Sequence, residues 1–510
     1  MSHTNGLGIN FEHKDKIKNM PFRTKTGSER ISNIKSTAIL AVVAVVAGFL
    51  VGKMGIVVGF ALVGIPLAIF FVGMLFSRPT VGLTLSVWAS FFVLGVGRYV
   101  NAPWGLLIDI FLFIGWLAIL FQVKKKDWSL LNQGSMKVSA VWFGLVILEI
   151  INPESNGPEC WFYAMRGDGF YQLLAFGLVF MLYRDRKQMD SFLKLATCLS
   201  LVGTLWGLRQ MIFGVDAAEY SWLYVEGFAS THILAGVLRV FSFYSDAGQF
   251  GSSQAMFTLL CGIIAVAPVS RGDKFFYGFA AIMSFVGFGI SGTRGAIAVP
   301  GAGILVHLFL SKNFKVLIFG LSVAITAFVF FKYTMALQNV EQVRRMRTAF
   351  DPNDPSLLVR INNQKTFGRH LATRPFGGGI GAAGFWGFRF APYSLLGNTA
   401  TDSYYVKLWA ETGIIGICLH LFMFGYFVGN GGFVVWHLRD PVLRAKIAGM
   451  YSSMCGVMVA SYGNAVYSQI PTGILMGIMI PLIFLAPKYD DDITAEAEAL
   501  AKEQAEKATA

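Results

Sequence analysis

Long, continuous apolar segments recur along most of this chain, and they constrain its fold more than any other feature. A helix that crosses a bilayer needs roughly 20 mostly apolar residues. Only helices and closed barrels satisfy their backbone hydrogen bonds in lipid, and continuous rather than alternating apolar runs indicate helices. Charged residues make up only 14% of the 510 residues, against about 25% in soluble domains. The sequence therefore predicts an all-α polytopic membrane protein.

The apolar pattern predicts fourteen transmembrane helices, of which the fifth and sixth are short. They cover approximately residues 36–52, 54–76, 80–97, 104–122, 137–152, 169–183, 190–213, 254–269, 275–291, 295–310, 314–332, 403–429, 446–464 and 471–487. Every second connection carries basic residues, as the positive-inside rule requires of cytoplasmic loops. These residues are Arg78; Lys124, Lys125, Lys126 and Lys137; Arg184, Arg186 and Lys187; Arg271 and Lys274; Lys312 and Lys315; and Arg439, Arg444 and Lys446. Both termini are therefore predicted to be cytoplasmic.

Three stretches on the opposite, outer side are too long to be turns: 153–168, 214–253 and 333–401. The last has a large excess of basic residues over Glu341, Asp351 and Asp354. The basic residues are Arg344, Arg345, Arg347, Arg360, Lys365, Arg369, Arg374 and Arg389. Long loops are translocated largely regardless of charge, so this excess does not change the predicted topology. It indicates instead that the loop binds something anionic.

These observations predict a simple domain organisation. A cytoplasmic tail at 1–35 precedes eleven transmembrane helices at 36–332 and an outer loop at 333–402 that contains helices. Three transmembrane helices at 403–487 and a cytoplasmic tail at 488–510 follow. The five cysteines show no paired spacing, so neither a disulfide framework nor a metal site is indicated.

Four groups of polar residues fall on the predicted outer face. They are Arg239 to Gly251, including Ser242, Ser245, Asp246 and Gln249; Ser291-Gly-Thr293-Arg294-Gly295; Arg360 to Gly381; and Asn398 to Tyr405, with Asp402, followed by Glu411-Thr-Gly413. Arg294 lies where two apolar segments meet, and ionisable groups at such positions are costly and usually functional. The alternative for Arg294 and for Arg239 is that the side chain extends to a lipid phosphate.

The third group predicts a helix that begins at Pro355 and must end before Pro375. At about 100° per residue, Arg360, Gln364, Phe367 and Arg374 share one side of it. Guanidinium groups on one face suit a diphosphate, because each planar fork binds phosphate oxygens in pairs. A helix lying on anionic lipid headgroups is the alternative. The glycine run after Arg374 is either a phosphate-binding backbone loop or a flexible turn.

In order along the chain, these groups resemble motifs of the O-antigen ligase and O-antigen polymerase superfamily. Members show an arginine before a span, a Ser/Thr-Arg-Gly turn, an Arg-rich loop helix, a Pro-x-x-Gly-x-Gly stretch, and a His/Asp-Asn-x-Tyr motif opening a helix with Glu-x-Gly. The matching elements here are Arg239, Ser291-Gly-Thr-Arg294-Gly, Arg360, Arg374-Pro-Phe-Gly-Gly-Gly-Ile-Gly, Asp402-Ser-Tyr-Tyr and Glu411-Thr-Gly413. The resemblance covers residues 239–429. Elsewhere only the multi-span character agrees.

The resemblance implies glycosyl transfer at the periplasmic face of the bacterial inner membrane. The donor would be a glycan linked to undecaprenyl diphosphate, and the acceptor a hydroxyl of another glycan or of lipid A-core. Arginines at the developing charge of the diphosphate would lower the barrier, which makes Arg239, Arg294, Arg360 and Arg374 the candidates. Asp402 would take the proton of the acceptor hydroxyl, with His370 as the alternative base. No cofactor and no metal are expected, so the transferase would be metal-independent.

The motif that opens the last helix differs from the ligase pattern. Ligases that join O-antigen to lipid A-core usually have His where this chain has Asp402, and Asn where it has Ser403. The difference favours a polymerase or another polysaccharide-joining relative.

Two functions of other classes remain possible. One is a flippase for lipid-linked oligosaccharides, a transporter. Transporters are often built from internal repeats with substrate sites near the bilayer midplane, whereas here no repeat is visible and the arginines lie on one side. The other is a non-catalytic assembly protein of the cell envelope, whose basic loop only binds lipid. The one-sided arginines favour an enzyme over a transporter, while the assembly protein is left to be distinguished by mutation of Arg294 or Arg360.

Overall fold

The computed structural model describes residues 52–53, 56–122, 127–234, 236–312, 314–339, 343–344, 347 and 355–509. The predicted N-terminal tail and nearly all of the first predicted span, 36–52, lie outside these residues. So do Glu341, Arg345, Asp351 and Asp354 of the basic loop. The chain divides into two units, 1–74 and 75–510. In the first, the described residues from Ile56 onward are helical.

Helices dominate the described part of the chain. They are α1 (Ile56–Ser77), α2 (Pro79–Gly97), α3 (Leu106–Phe121), α4 (Gly134–Leu148), α5 (Pro158–Met165), α6 (Tyr171–Leu182), α7 (Arg186–Phe213), α8 (Ala217–Tyr224), α9 (Ala229–His232), α10 (Ala247–Val266), α11 (Arg271–Ile290), α12 (Ala298–Leu310), α13 (Phe314–Tyr333), α14 (Pro355–Leu371), α15 (Gly384–Phe390), α16 (Leu395–Asn398), α17 (Tyr404–His437), α18 (Pro441–Ala460) and α19 (Thr472–Thr509). Two-residue strands β1 (Ile233–Leu234) and β2 (Val237–Leu238) form an antiparallel pair. An all-α class is thereby confirmed.

Each predicted span from the second to the fourteenth coincides with a helix of the structure. By length and composition, seven helices in the described residues can cross a membrane. They are Pro79–Gly97, Gly134–Ile151, Arg186–Phe213, Ala247–Val266, Arg271–Ile290, Tyr404–His437 and Thr472–Thr509. The chain is therefore a multi-pass membrane protein, while fourteen spans, their orientation and the domain limits remain predictions.

The second unit packs around α10 and the apolar half of α19. In each of these helices, 78% of the most apolar 18-residue window is buried, which means that neighbouring helices rather than lipid cover them. Helix α10 packs against α11 and α18, and α19 packs against α6. The sixth predicted span is longer than expected, because α5, a π-helical segment at Arg166–Phe170 and α6 follow one another without a break.

The three long stretches that are predicted to lie on the outer side contain short helices. Helix α5 lies in the first, α8 and α9 lie in the second, and α14, α15 and α16 lie in the third. Helix α14 begins at Pro355, as predicted, and packs against α17. Helix α15 packs against α5 and α16. The basic loop is therefore folded onto the bundle beside the start of α17.

Candidate functional site

The start of α17 places Asp402 at the surface. Ser403 is the N-cap, and its hydroxyl accepts a hydrogen bond from the Val406 N–H. Serine and asparagine are both strong N-cap residues. Ser403 therefore caps α17 as an asparagine at this position would. Asp402 has φ 29°, a left-handed conformation in which Asp, Asn and His are enriched. Its side chain is 51% exposed and thus open to a substrate.

Helix α14 brings Arg360 to Asp402. The Arg360 Nε lies 3.4 Å from the Asp402 Oδ2, and the guanidinium is 31% exposed. Four residues along, on the same side of the helix, the Gln364 amide donates to the Tyr462 hydroxyl at 3.4 Å. Phe367 is fully buried and packs with Leu371 and Val406. Burial of this apolar side fixes α14 against α17 and leaves Arg360 beside the candidate base.

Arg374 is not part of the same helical face, contrary to the prediction. Helix α14 ends at Leu371, and Arg374 lies in the turn that follows. Its Nε lies 3.1 Å from the Glu154 Oε1. Eleven residues of helix between Arg360 and Leu371 span ~16 Å, so Arg374 is at the far end of α14. Glu154, in the first outer stretch, is its partner instead of Asp402.

His370 also lies at this far end. It is half-buried in the last turn of α14, and its backbone oxygen accepts a hydrogen bond from Arg374. Ten residues of helix place it ~15 Å along the axis from Arg360. The structure therefore brings Asp402, and not His370, to the Arg360 guanidinium.

The first two groups of polar residues, Arg239 to Gly251 and Ser291 to Gly295, contact each other in the structure. The Arg239 Nη2 donates to the Thr293 hydroxyl at 2.9 Å, and this hydroxyl donates to the Ala247 oxygen at 2.8 Å. Thr293 immediately precedes Arg294, which begins a short 3-10 helix at Arg294–Ile297 and is half-buried. The Arg-containing segment before α10 and the Thr-Arg-Gly turn after α11 therefore form one local structure.

Arg98 holds this structure in place, and sequence analysis missed it. It follows α2, donates to the Ser242 oxygen at 2.6 Å, and also donates to the Tyr244 oxygen. Its guanidinium lies 4.3 Å from the Trp222 ring centre. Burial lowers the pKa of Arg98 to about 10, so the side chain is still charged at neutral pH. Among so many basic residues, nothing in the sequence singles out Arg98 for this role.

The turn after α18 connects the two halves of the site. The Tyr404 N–H donates to the Ser461 oxygen at 2.9 Å, and Tyr462 binds Gln364. A Cβ atom added to Gly463 would lie 4.0 Å from the Cα of Gly295, next to Arg294. Residues 461–464 therefore touch the start of α17, helix α14 and the Thr-Arg-Gly turn. Arg360 therefore lies beside Asp402 and Arg239 beside Thr293, while Arg294 stands in the backbone turn that Gly463 approaches.

The glycine run neither faces outward nor forms a simple turn. Residues 377–383 are all buried. The N–H of Gly378 donates to the Ala410 oxygen at 2.9 Å, and the N–H of Gly379 donates to the Glu411 oxygen at 2.8 Å. Gly413 has φ 61° and kinks α17 here, and a Cβ atom on Gly377 would lie 2.5 Å from its nitrogen. The run is a packing element that fits into the kink, and its burial keeps it from a phosphate.

A buried charge cluster lies one turn below the start of α17. The Lys407 Nζ contacts both Asp168 carboxylate oxygens, at 2.8 and 2.7 Å, and the Glu411 Oε2 at 3.3 Å. Both acidic side chains are fully buried. The other Glu411 oxygen accepts from the Ala383 N–H at 3.4 Å. This Lys407–Asp168–Glu411 cluster ties α17 to the π-helical segment and to the glycine run.

Within the described residues, no three His, Cys, Asp or Glu side chains are grouped to hold a metal ion. Two acidic residues near the start of α17 are engaged with basic partners, Asp402 with Arg360 and Asp168 with Lys407. The five cysteines are all unpaired. Metal independence remains a prediction.

Comparison with known families identifies part of this region. Residues 279–421 match the family described as O-antigen ligase. The matched segment includes Arg294, Arg360, Asp402 and the Lys407–Asp168–Glu411 cluster apart from Asp168, while Arg239 and Tyr462 lie outside it. No curated protein matches the chain. The family match supports the resemblance to the O-antigen ligase and polymerase superfamily and points to an activity of this class.

Proposed function

From a segment of the O-antigen ligase type at residues 279–421, we propose that the protein is a membrane glycosyltransferase. It transfers a glycan from undecaprenyl diphosphate to an acceptor hydroxyl, at the periplasmic face of the bacterial inner membrane. The observation that carries this proposal is the ion pair between Arg360 and Asp402 at the exposed start of α17. A cation and a carboxylate at one solvent-accessible place supply the two groups that glycosyl transfer from a diphosphate requires.

The arginines act on the leaving group. As the bond between the sugar C1 and the phosphate oxygen breaks, its electron pair stays on undecaprenyl diphosphate, whose negative charge increases. Fixed cations aimed at developing charge stabilise the transition state. Arg360, beside Asp402, and Arg294, in the turn that residues 461–464 approach, take this role. Arg239 supports the turn before Arg294 through its hydrogen bond to Thr293. Arg374, paired with Glu154 at the far end of α14, has no place in this step.

Asp402 acts on the acceptor. The acceptor hydroxyl oxygen forms the new bond to C1, and its proton passes to the Asp402 carboxylate. Contact with Arg360 orients the carboxylate, and the exposed side of Asp402 leaves room for an acceptor. No step of this scheme uses a metal ion, so transfer should continue undiminished when EDTA is added.

An acceptor that is itself a lipid-linked repeat unit would make the protein a polymerase, and we favour this form. Aspartate at position 402, in place of the histidine usual in ligases, supports it. A deletion strain distinguishes the two forms by its glycans on a gel. A single repeat unit on lipid A-core indicates a polymerase, whereas loss of all chains from lipid A-core with lipid-linked polymer retained indicates a ligase.

The variants Arg294→Ala and Arg360→Ala test the proposal that the protein is an enzyme. Each removes one fixed cation, and losses of about 10²- to 10³-fold are typical for a single group of this kind. Long glycan chains should therefore disappear from the gel while the protein is inserted in normal amounts. Lys365→Ala, an exposed basic residue on the same helix, is the matched control and should leave the chains intact. Normal polymer in both arginine variants would favour the flippase or assembly functions.

A further inference from the structure

Residues 461–464, which connect α18 towards α19, lie outside the segment that matches the O-antigen ligase family. They nevertheless contact the start of α17, helix α14 and the Thr-Arg-Gly turn. Ser461 accepts a hydrogen bond from the Tyr404 N–H at 2.9 Å, two residues after Asp402. Gly463 faces Gly295, next to Arg294. Tyr462 therefore stands between two residues whose backbones contact the start of α17 and the Thr-Arg-Gly turn.

Tyr462 has the most exposed side chain of this turn. Ser461 before it is fully buried, whereas Tyr462 is 52% exposed. Its hydroxyl accepts a hydrogen bond from Gln364, one helical turn from Arg360 on α14. The hydroxyl end of the ring therefore contacts α14 one turn from Arg360, and about half of the side chain is open.

We propose that Tyr462 binds the sugar of the lipid-linked glycan by stacking its ring against the apolar C–H face of that sugar. The inference rests on the proposed function, since the sugar attached to a diphosphate must lie next to the arginines that hold the phosphates. A tyrosine ring offers a rigid apolar surface with a polar edge, which suits a pyranose. Tyr462 is thereby a substrate-binding residue that contributes to the choice of sugar.

Direct binding separates the sugar contact from the phosphate contact. The full-length protein, in lipid nanodiscs, is titrated with two probes: undecaprenyl diphosphate carrying an oligosaccharide, and undecaprenyl diphosphate without sugar. Tyr462→Ala should weaken binding of the first probe about 3- to 10-fold, which corresponds to the energy of one aromatic stacking contact. Binding of the sugar-free lipid should be unchanged. Arg360→Ala should weaken binding of both probes.

Two further variants separate stacking from a structural role of the Tyr462 hydroxyl. Tyr462→Phe keeps the ring and loses the hydroxyl, while Gln364→Ala removes only the hydrogen-bond partner. Both should bind the glycosylated lipid as the wild type does. Tyr393→Ala removes a tyrosine that is 99% exposed and is not placed at the site, and it should have no effect.

The outcomes of this experiment are distinct from a failure of the proposed function. Wild-type protein that binds neither probe would end the proposed function and this inference together. Equal losses in Tyr462→Phe and Tyr462→Ala would mean that the residue only supports α14, and an unchanged Tyr462→Ala would mean that it does not touch the sugar. Either result overturns the inference and leaves the roles of Arg360 and Asp402 standing.

Discussion

Two groups of charged residues lie near the N-terminal end of α17, and they differ in exposure and in the number of their contacts. Arg360 and Asp402 are 31% and 51% exposed and make one contact at 3.4 Å. Lys407, Asp168 and Glu411, one to two turns below, are almost completely buried and make three contacts at 2.7 to 3.3 Å. The exposed pair has room for a substrate, whereas the buried cluster has its polar groups directed at each other and at the backbone.

The difference indicates a division of roles. Buried ion pairs are weak evidence for net stability, but removal of one partner leaves an uncompensated charge. The buried cluster therefore fixes the kinked helix and the glycine run against the π-helical segment. In the proposed function, the exposed pair above this rigid cluster exchanges its own contact for contacts with a diphosphate and an acceptor.

Asp402→Asn should give the largest effect. It should lower the rate of transfer without changing the stability of the protein. The amide keeps the size of the side chain but cannot accept the proton, and a general base typically contributes about 10²- to 10⁴-fold to a rate. Transfer measured with the purified protein should fall by that factor while the melting temperature stays that of the wild type. His370→Ala, the matched control for the alternative base, should retain activity. Normal transfer in Asp402→Asn together with loss of transfer in His370→Ala would identify His370 as the general base.

Lys407→Met should also have a large effect, but on the stability of the fold rather than on the chemical step. It leaves Asp168 and Glu411 buried without their cation, which costs about 3–5 kcal/mol in the free energy of unfolding. The protein should therefore melt at a lower temperature and accumulate in smaller amounts. Combining it with Asp168→Asn and Glu411→Gln removes the buried charges and should restore much of the stability. A variant with normal stability and no activity would instead make Lys407 part of the chemistry.

Arg374→Ala should give the smallest effect. Arg374 is 31% exposed and paired with a 45% exposed Glu154, and such surface pairs contribute about 0–1 kcal/mol. Transfer should change less than about fivefold, far less than with Arg360→Ala. Equal losses in the two arginine variants would show that substrate binding draws Arg374 into the site.

The exposed pair was predictable from sequence, and the buried cluster only in part. Arg360 and Asp402 stand in motifs, and apolar segment length fixes helices that cross a bilayer. Lys407 and Glu411 have the spacing of one helical turn inside an apolar helix, a signal that charged residues there are functional or paired. Their partner Asp168 lies 239 positions away. Its identity depends on how the helices pack, which the pattern does not specify.

The other differences between prediction and structure also arise because the sequence pattern does not specify where helices end or how they pack. The helical periodicity of Arg360 and Arg374 holds only while the helix continues, and α14 ends at Leu371. The glycine run looks like a loop because the kink that it fills, at Gly413, lies in a different segment. Tyr462 stands in a predicted span without a motif, and only the close approach of α14 and the Thr-Arg-Gly turn places it at the site.

We propose above all that the bond between a sugar and a diphosphate is broken at the exposed site formed by Arg360 and Asp402. The most direct measurement combines the purified protein, in nanodiscs, with a lipid-linked oligosaccharide and follows free undecaprenyl diphosphate and glycan length together. We expect one undecaprenyl diphosphate released for each glycan joined, and loss of both signals in Arg360→Ala and Asp402→Asn. Elongation without release of the lipid diphosphate, or release and elongation undiminished in the two variants, would contradict this account.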